Sequence, residues 1–502
     1  MRAVLWKNRK SFQPALLFCR RLSASGDICR RNRIRLLTQS LLVGGTASHV
    51  GKSWMATAIC AWLRRQHVRV APFKAQNMSN NSYPCPGGGE IGRAQVAQAE
   101  ACGLPPSVDM NPLLLKPTSD KGSQVVVQGK VWRNLSAREL YEQHEYLREK
   151  VEESYARLAA TYDFIVAEGA GSIAEFNLRP TDLVNLGFAA RHRMPVLLVA
   201  DIDRGGVFAS VFGTIALLSP AERDLVRAFA INRFRGDPSL FASGVKLLEE
   251  KTAKPCLGVF PFLDAVRLDE EDSVSLEERR SSTAPMAAIR FPRISNFTDF
   301  RLLPVMWAER PIDRKFEVVF LPGTKNTIGD LTWMRAQRLD QWLLDQHAAG
   351  ARIVGICGGY QMLGERIDDP DHVESDCASA NGLGLLPVTT TLLAQKTTRT
   401  VNGRTRGGQS FHAYEIHMGE TSPVEAPCFA YVNGSPEGIE WNRCLGTYLH
   451  GALEDPAVIE EYLGYRLRDA PDKAEIYNRL ADWFDQYADL KLFARRLAAA
   501  KS

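Results

Sequence analysis

The sequence predicts an α/β protein built as two parallel-sheet domains in tandem, the first carrying a phosphate-binding loop. Three observations lead there. From Leu41 onward, short apolar runs alternate with longer amphipathic segments, which is the pattern of βα units. In the first half a glycine-rich turn, GGTASHVGKS, leads from an apolar run straight into a helical pattern. In the second half ARIVGICGGYQMLG repeats the strand–turn–helix arrangement around a cysteine.

At 502 residues the chain is too long for one ordinary core, and its 45% hydrophobic and 24% charged residues are those of a globular protein. No apolar run reaches the roughly 20 residues needed to span a bilayer, so no membrane partner is expected. The net charge of +5 is unevenly placed. The first forty residues hold ten Lys/Arg against one acid, Asp27, and the remainder is slightly acidic, which removes the case for a nucleic-acid partner. That basic segment has the composition of an organellar transit peptide, but the preferred reading is a disordered tail outside the fold or a start codon assigned too far upstream. We treat residues 1–40 as such an extension. Ten scattered cysteines without a C-x-x-C pair point to reduced thiols and a cytoplasmic location. A homo-oligomer is compatible with the sequence.

Taken in order, LLVGG is a strand and turn, SWMATAICAWLRRQ a helix and RVAPFKAQN the next strand. DFIVAEGAG, PVLLVADID and AFAINRFRG continue the sheet to about residue 266. Residues 267–285, charged and Ser-rich, form the expected linker. The second domain, 286–490, contains strands in AAIRFPRISN, EVVFLPGT, ARIVGICGGY and GTYLHG, with an irregular stretch before the last. The tail AEIYNRLADWFDQYADLKLFARRLAA reads as one amphipathic helix.

The first loop departs from G-x-x-x-x-G-K-[ST]: Thr46 stands where the first glycine belongs, and Gly45 lies one residue too early. Its context still fits phosphate binding. Backbone N–H groups from Gly45 through Gly51 would surround an anion at a helix start. Lys52 supplies a point charge for the β- and γ-phosphates of ATP, and the Ser53 hydroxyl suits Mg²⁺. Glu168 ends a parallel strand beside the loop, a second metal contact, and Glu90 is assigned with them as a third oxygen donor. Asn232, at another strand end, is placed to recognise the purine edge. The intervening loops are rich in amides, lysines and hydroxyls (Lys74, Gln76, Asn77, Arg93, Gln95, Asn111, Lys116, Ser119, Gln124), a lining that suits an anionic, oxygen-rich substrate.

In the second half the tight turn at Cys357 exposes a thiol at a helix N-terminus, the geometry of a nucleophile elbow. The Gly358 N–H and the Gly323 N–H from the turn of FLPGTKNT would form an oxyanion hole. His450 in GTYLHG, 93 residues further on, is the candidate base.

The two segments also carry a resemblance. G-I-C-G-G-Y-Q with a late L-H-G resembles the class I, triad-type glutamine amidotransferase domain, and this places Gln361 with Gly323 and Gly358 around the glutamine. The loop G-T-A-S-H-V-G-K-S resembles that of dethiobiotin synthetase, which has the same extra residue. With PFKAQNMSNNS, GGEIGRAQ, DMNPLLLKPTSD, VLLVADIDRGGVFAS, NRFRGD, NFTDF and YEIHMG, the chain from Leu41 to the 450s looks closely like the cobyric acid synthases. The resemblance implies ATP- and glutamine-dependent amidation of four side-chain carboxylates (b, d, e and g) of a corrinoid, adenosylcobyrinic acid a,c-diamide. It implies an acyl phosphate and ammonia released by the second domain. Two departures stand out. The acid expected two residues after the histidine is replaced by Ala452, leaving a Cys–His dyad or another acid such as Glu415. An acid common two residues before Gly51 is replaced by His49. Cobyrinic acid a,c-diamide synthase shares the domain logic, though QNMSNNS and GGEIGRAQ favour the cobyric enzyme. A partition-type ATPase would need no Cys357/His450 domain. A dead amidotransferase domain would leave glutamine-dependent amidation indifferent to Cys357.

Overall fold

A computed structural model describes residues 39–118, 122–263, 284–422, 424–467 and 472–498. Residues 1–38 of the basic extension, nearly all of the expected linker and Ser119 lie outside the described residues, while Gln39 and Ser40, assigned to the extension, belong to the first strand.

The first sheet is wholly parallel. Its strands are β1 (Gln39–Gly45), β2 (Val70–Phe73), β3 (Phe164–Glu168), β4 (Val196–Asp201), β5 (Val226–Phe234) and β6 (Cys256–Pro261), in the order β6-β5-β4-β1-β3-β2. The inner strands read as unbroken apolar runs because both faces are covered. Leu41 and Val43 of β1 pack with helix α1 (Lys52–Arg65), while Leu42 packs on the other face with Tyr155 and Leu158 of the helix His144–Thr161. Between β2 and β3 the chain makes an excursion. It contains the hairpin of Ser82–Pro84 and Glu90–Gly92, the buried helix α2 (Arg93–Cys102) and a small four-stranded sheet.

The second sheet comprises β7 (Met286–Ile289), β8 (Val305–Ala308), β9 (Val318–Leu321), β10 (Arg352–Ile356), β11 (Ile439–Trp441) and β12 (Cys444–Thr447). Their order is β8-β7-β9-β10-β12-β11, all parallel except β11. The short helix α3 (Gly358–Leu363) follows β10 directly. The stretch expected to be irregular is largely an antiparallel hairpin of Thr389–Thr405 and Ser410–Thr421, whose Thr-rich alternation suits a half-buried ribbon.

The tail differs from expectation in two ways. It is not one helix: α4 (Lys473–Tyr487) ends before Asp489, whose N–H donates to Leu257 O while its carboxylate accepts from Lys491 N and Leu492 N, so the chain restarts in a new turn. Nor does it pack with the second domain, to which the sequence reading carried it. Trp483 and Phe484 meet Phe260, and Phe484 and Phe493 meet Trp62 of α1, with ring centroids 4.7–6.1 Å apart. The apolar face of α4 therefore completes the first domain's core.

Candidate active sites at the carboxyl ends of the two sheets

The loop after β1 runs over the carboxyl end of the first sheet. Gly51 takes φ +93° at the start of α1, and a β-carbon there would lie 2.0 Å from Asn232 Nδ2, so only glycine fits. Among the described residues no side chain caps α1, so the positive end of the helix faces the loop mouth, where an anion would sit. Lys52 Nζ donates to Ala47 O and Gly171 O, both at 3.0 Å, and so lies across the loop mouth. Thr46 N donates to Val199 O at 3.0 Å and joins the loop to β4. A β-carbon on Gly45 would come within 2.9 Å of Val50 Cγ2. The extra residue is absorbed by a bulge in which His49 adopts φ +59° and faces solvent.

The register Val43↔Glu168 brings Glu168 level with the loop. Ser53 Oγ donates to its Oε1 at 2.8 Å, Lys74 Nζ to the same oxygen at 3.1 Å, and Gln98 Nε2 to Oε2 at 2.5 Å. Burial opposes ionisation of Glu168, but the Lys74 ammonium and the three donated hydrogen bonds outweigh it and hold its pKa below the ordinary value. A hydroxyl and an ionised carboxylate at the phosphate loop form the hard oxygen donor set that Mg²⁺ takes. A cavity of about 780 Å³ opens over these groups and is lined also by Gln76, Asn77 and His49.

Four of the residues assigned to this site are elsewhere. Glu90 is buried between Lys116, whose Nζ lies 2.6 Å away, and Lys396 of the second domain, so its oxygens are held by two ammonium groups and it cannot join Ser53 and Glu168 on a metal. Lys116 turns to that pair and to the second cavity, away from the phosphate loop. Asn111 spends its amide on Gly92 N, Lys74 O and Leu113 O, bracing the loops without lining the cavity. Asn232 Nδ2 donates to Val50 O at 2.9 Å, so this amide supports the loop from below.

In the second sheet, adjacent strands bring the predicted nucleophile and base together. Cys357 follows β10 and His450 follows β12, with Ile356↔Thr447 in register. Cys357 takes φ +52° and ψ −111°, a strained conformation for a residue with a side chain, fixed by Cys357 N donating to Thr447 O at 2.8 Å. The elbow closes tightly: a β-carbon on Gly359 would lie 1.9 Å from Leu321 O, and one on Gly358 2.7 Å from Thr324 Cγ2. Gly323 abuts the histidine, since a β-carbon on it would be 3.0 Å from His450 Cε1. Gln361 is buried, accepting from Thr327 Oγ1 at 2.9 Å and donating to Tyr448 OH at 3.3 Å.

The acid missing from position 452 is supplied from the other side of the ring. Asp299, in the turn Phe297–Phe300 after β7, accepts from His450 Nδ1 at 2.8 Å and from Gly451 N at 2.6 Å. This leaves Nε2 without a hydrogen bond among the described residues and available to Cys357, whose Sγ donates to Ile416 O at 3.5 Å. Burial of His450 disfavours its charge, but Asp299 outweighs burial and, with Cys357, raises the imidazole pKa to about 10. Glu415 is not the missing acid, because it pairs with Arg399. NFTDF was visible as a motif, yet nothing local marks its aspartate as a histidine partner. The sequence reading also missed Tyr414, which stacks on His450 at 5.3 Å and exchanges two backbone hydrogen bonds with it.

The fold and both sites define a glutamine amidotransferase domain fused behind a nucleotide-binding domain. Residues 285–458 match the CobB/CobQ-like glutamine amidotransferase domain, and residues 41–276 match the CobQ/CobB/MinD/ParA nucleotide binding domain. The chain is 43% identical to the cobyric acid synthase of Syntrophobacter fumaroxidans, covering 91% of this chain and 98% of that relative. It is 43% identical to the enzyme of Salmonella typhimurium, covering 90% and 97%. The chain belongs to the cobyric acid synthase family. Among the described residues no helix is long and apolar enough to cross a membrane.

Proposed function

We propose that this protein converts adenosylcobyrinic acid a,c-diamide to adenosylcobyric acid by amidating four side-chain carboxylates, using ATP and glutamine. The reading rests on one observation above all. A phosphate loop and a Cys–His–Asp triad lie on one chain, and the narrow cavity at Cys357 is lined by residues of both domains, including Asn80 and Lys116 of the first.

In the second domain the Cys357 sulfur attacks the side-chain carbonyl carbon of glutamine. The oxyanion is received by N–H groups at Gly358 and Gly323, and His450 passes a proton to the leaving nitrogen, so ammonia departs. Water then attacks the thioester, with His450 as base, and releases glutamate. Asp299 holds the imidazole in the required orientation and balances its charge. In the first domain a substrate carboxylate takes the γ-phosphoryl group of ATP, with Lys52 and the helix start balancing phosphate charge. Ammonia displaces phosphate from the resulting acyl phosphate and leaves the amide. Ser53 and Glu168 would hold Mg²⁺, which when bound neutralises phosphate charge. Lys74, Gln76 and Asn77 face the same cavity and are the candidates for substrate carboxylates.

Ammonia is largely ammonium at neutral pH, so it must pass between the sites protected from bulk water. Lys116 lies on that side of the cavity. Its ammonium is paired with Glu90 and donates to Ser82 Oγ, so its charge is balanced beside the cavity.

Purified protein given ATP, Mg²⁺, glutamine and the corrinoid diamide should yield four successive amide mass gains. Cys357→Ala should abolish this with glutamine and keep it with high ammonia; Lys52→Ala should abolish both. No mass change with the wild-type protein would sink the reading.

A further inference from the structure

The glutaminase histidine is not held by its own domain alone. Arg93, the first residue of α2 in the first domain, is buried at the interface and donates to Glu454 Oε1 at 3.0 Å. Glu454 lies four residues after His450, in the turn that begins at Gly451, whose N–H is bound to Asp299. The other Glu454 oxygen accepts from Arg301, which follows the Asp299 turn. The Arg93 guanidinium also lies over two rings, Tyr83 at 4.9 Å and Tyr414 at 5.8 Å, and Tyr414 is the ring stacked on His450. A second strut runs parallel: Ser82 N donates to Asn296 Oδ1 at 3.0 Å, three residues before Asp299.

The same helix touches the phosphate site. Five residues beyond Arg93, a little over one helical turn, Gln98 donates to Glu168. Helix α2 is ten residues long and almost entirely buried, so a displacement at one end is passed to the other. Occupation of the loop by phosphate must repartner Ser53 and Glu168, and Gln98 is bonded to the latter.

We propose that Arg93 is a positioning residue for the glutaminase triad, and that α2, tied to Glu168 through Gln98, carries the state of the phosphate site to His450. Glutamine is then hydrolysed fastest when the first site is loaded. This rests on the reading of both sites under Proposed function.

The test uses the full chain with Arg93→Ala, Arg93→Lys and Gln98→Leu, measuring glutamine hydrolysis with and without ATP and the corrinoid diamide, across pH. Ammonia-driven amidation and thermal midpoints are measured alongside. Arg93→Ala should lower the glutaminase kcat by about 10- to 100-fold, the cost of a small misplacement of a catalytic group, with KM for glutamine unchanged and the pH profile moved. Arg93→Lys should recover part of the rate. Gln98→Leu should abolish the rise on adding ATP and substrate. A wild-type rate in Arg93→Ala together with a wild-type ATP response in Gln98→Leu would overturn the proposal. So would an Arg93→Ala protein that loses glutamine- and ammonia-driven amidation in parallel with its thermal midpoint, which marks fold support alone. Cys357→Ala is the separate control: continued glutamine hydrolysis there would defeat the reading of the nucleophile, whatever the Arg93 variants do.

Discussion

His450 is fully buried, and the Asp299 carboxylate on its Nδ1 offsets the cost that burial puts on the charged imidazolium. Replacing Asp299 by Asn keeps the shape but removes the countercharge, so glutamine hydrolysis should fall by roughly 10²- to 10⁴-fold while ammonia-driven amidation survives. The pair also sets a pH dependence. The folded-state pKa of His450 is raised above its unfolded value near 6.5 to about 10. Its contribution to stability is therefore complete below pH 6.5 and lost as pH rises through 10. Denaturation of wild type and Asp299→Asn across pH should show a stability difference that is largest near pH 6 and shrinks toward pH 10. A difference flat across that range would refute the pairing.

At the scale of elements, both sites are strand–turn–helix units in which a glycine lets the backbone approach something close. Gly359 sits at the start of α3 against the carbonyl of Leu321 at the end of β9. Gly359→Ala forces these backbones apart and should cost about 3 kcal/mol, near the upper end for overpacking. Denaturant unfolding would show the loss, and glutamine hydrolysis should fall with it because Cys357 rides on the same turn. Wild-type stability would show that the turn relaxes without cost.

For the whole molecule, the chain does not divide cleanly at the linker. Helix α4 is separated from the first domain by the entire second domain, yet its Phe484 is fully buried against Trp62 of α1 and Phe260 of β6. Phe484→Ala should therefore destabilise the nucleotide-binding domain by about 3–5 kcal/mol, the range for a large ring lost from a core. The change should weaken nucleotide binding in calorimetry while sparing the local geometry around Cys357. An unchanged denaturation midpoint would contradict this packing.

What the sequence determined by itself was local. Cys357, Lys52 and Ser53 each stand in a short run whose strand, turn and helix are encoded within about a dozen residues, and the parallel sheets follow from alternating apolar runs. The same locality explains why the phosphate loop could be recognised despite its extra residue. Only the tertiary structure decided the rest. Asp299 lies 151 residues from His450, Lys396 lies 306 from Glu90, and Arg93 lies 361 from Glu454. No periodicity connects such positions, because a side chain's partner across an interface depends on how the two sheets are set against each other. Glu90 and Asn232 show the converse: their residue types suited metal and purine, but a buried carboxylate goes to the nearest ammonium groups and a buried amide to the nearest carbonyl. The tail behaved likewise, its apolar stripe legible in the sequence and the surface it covers decided by the fold.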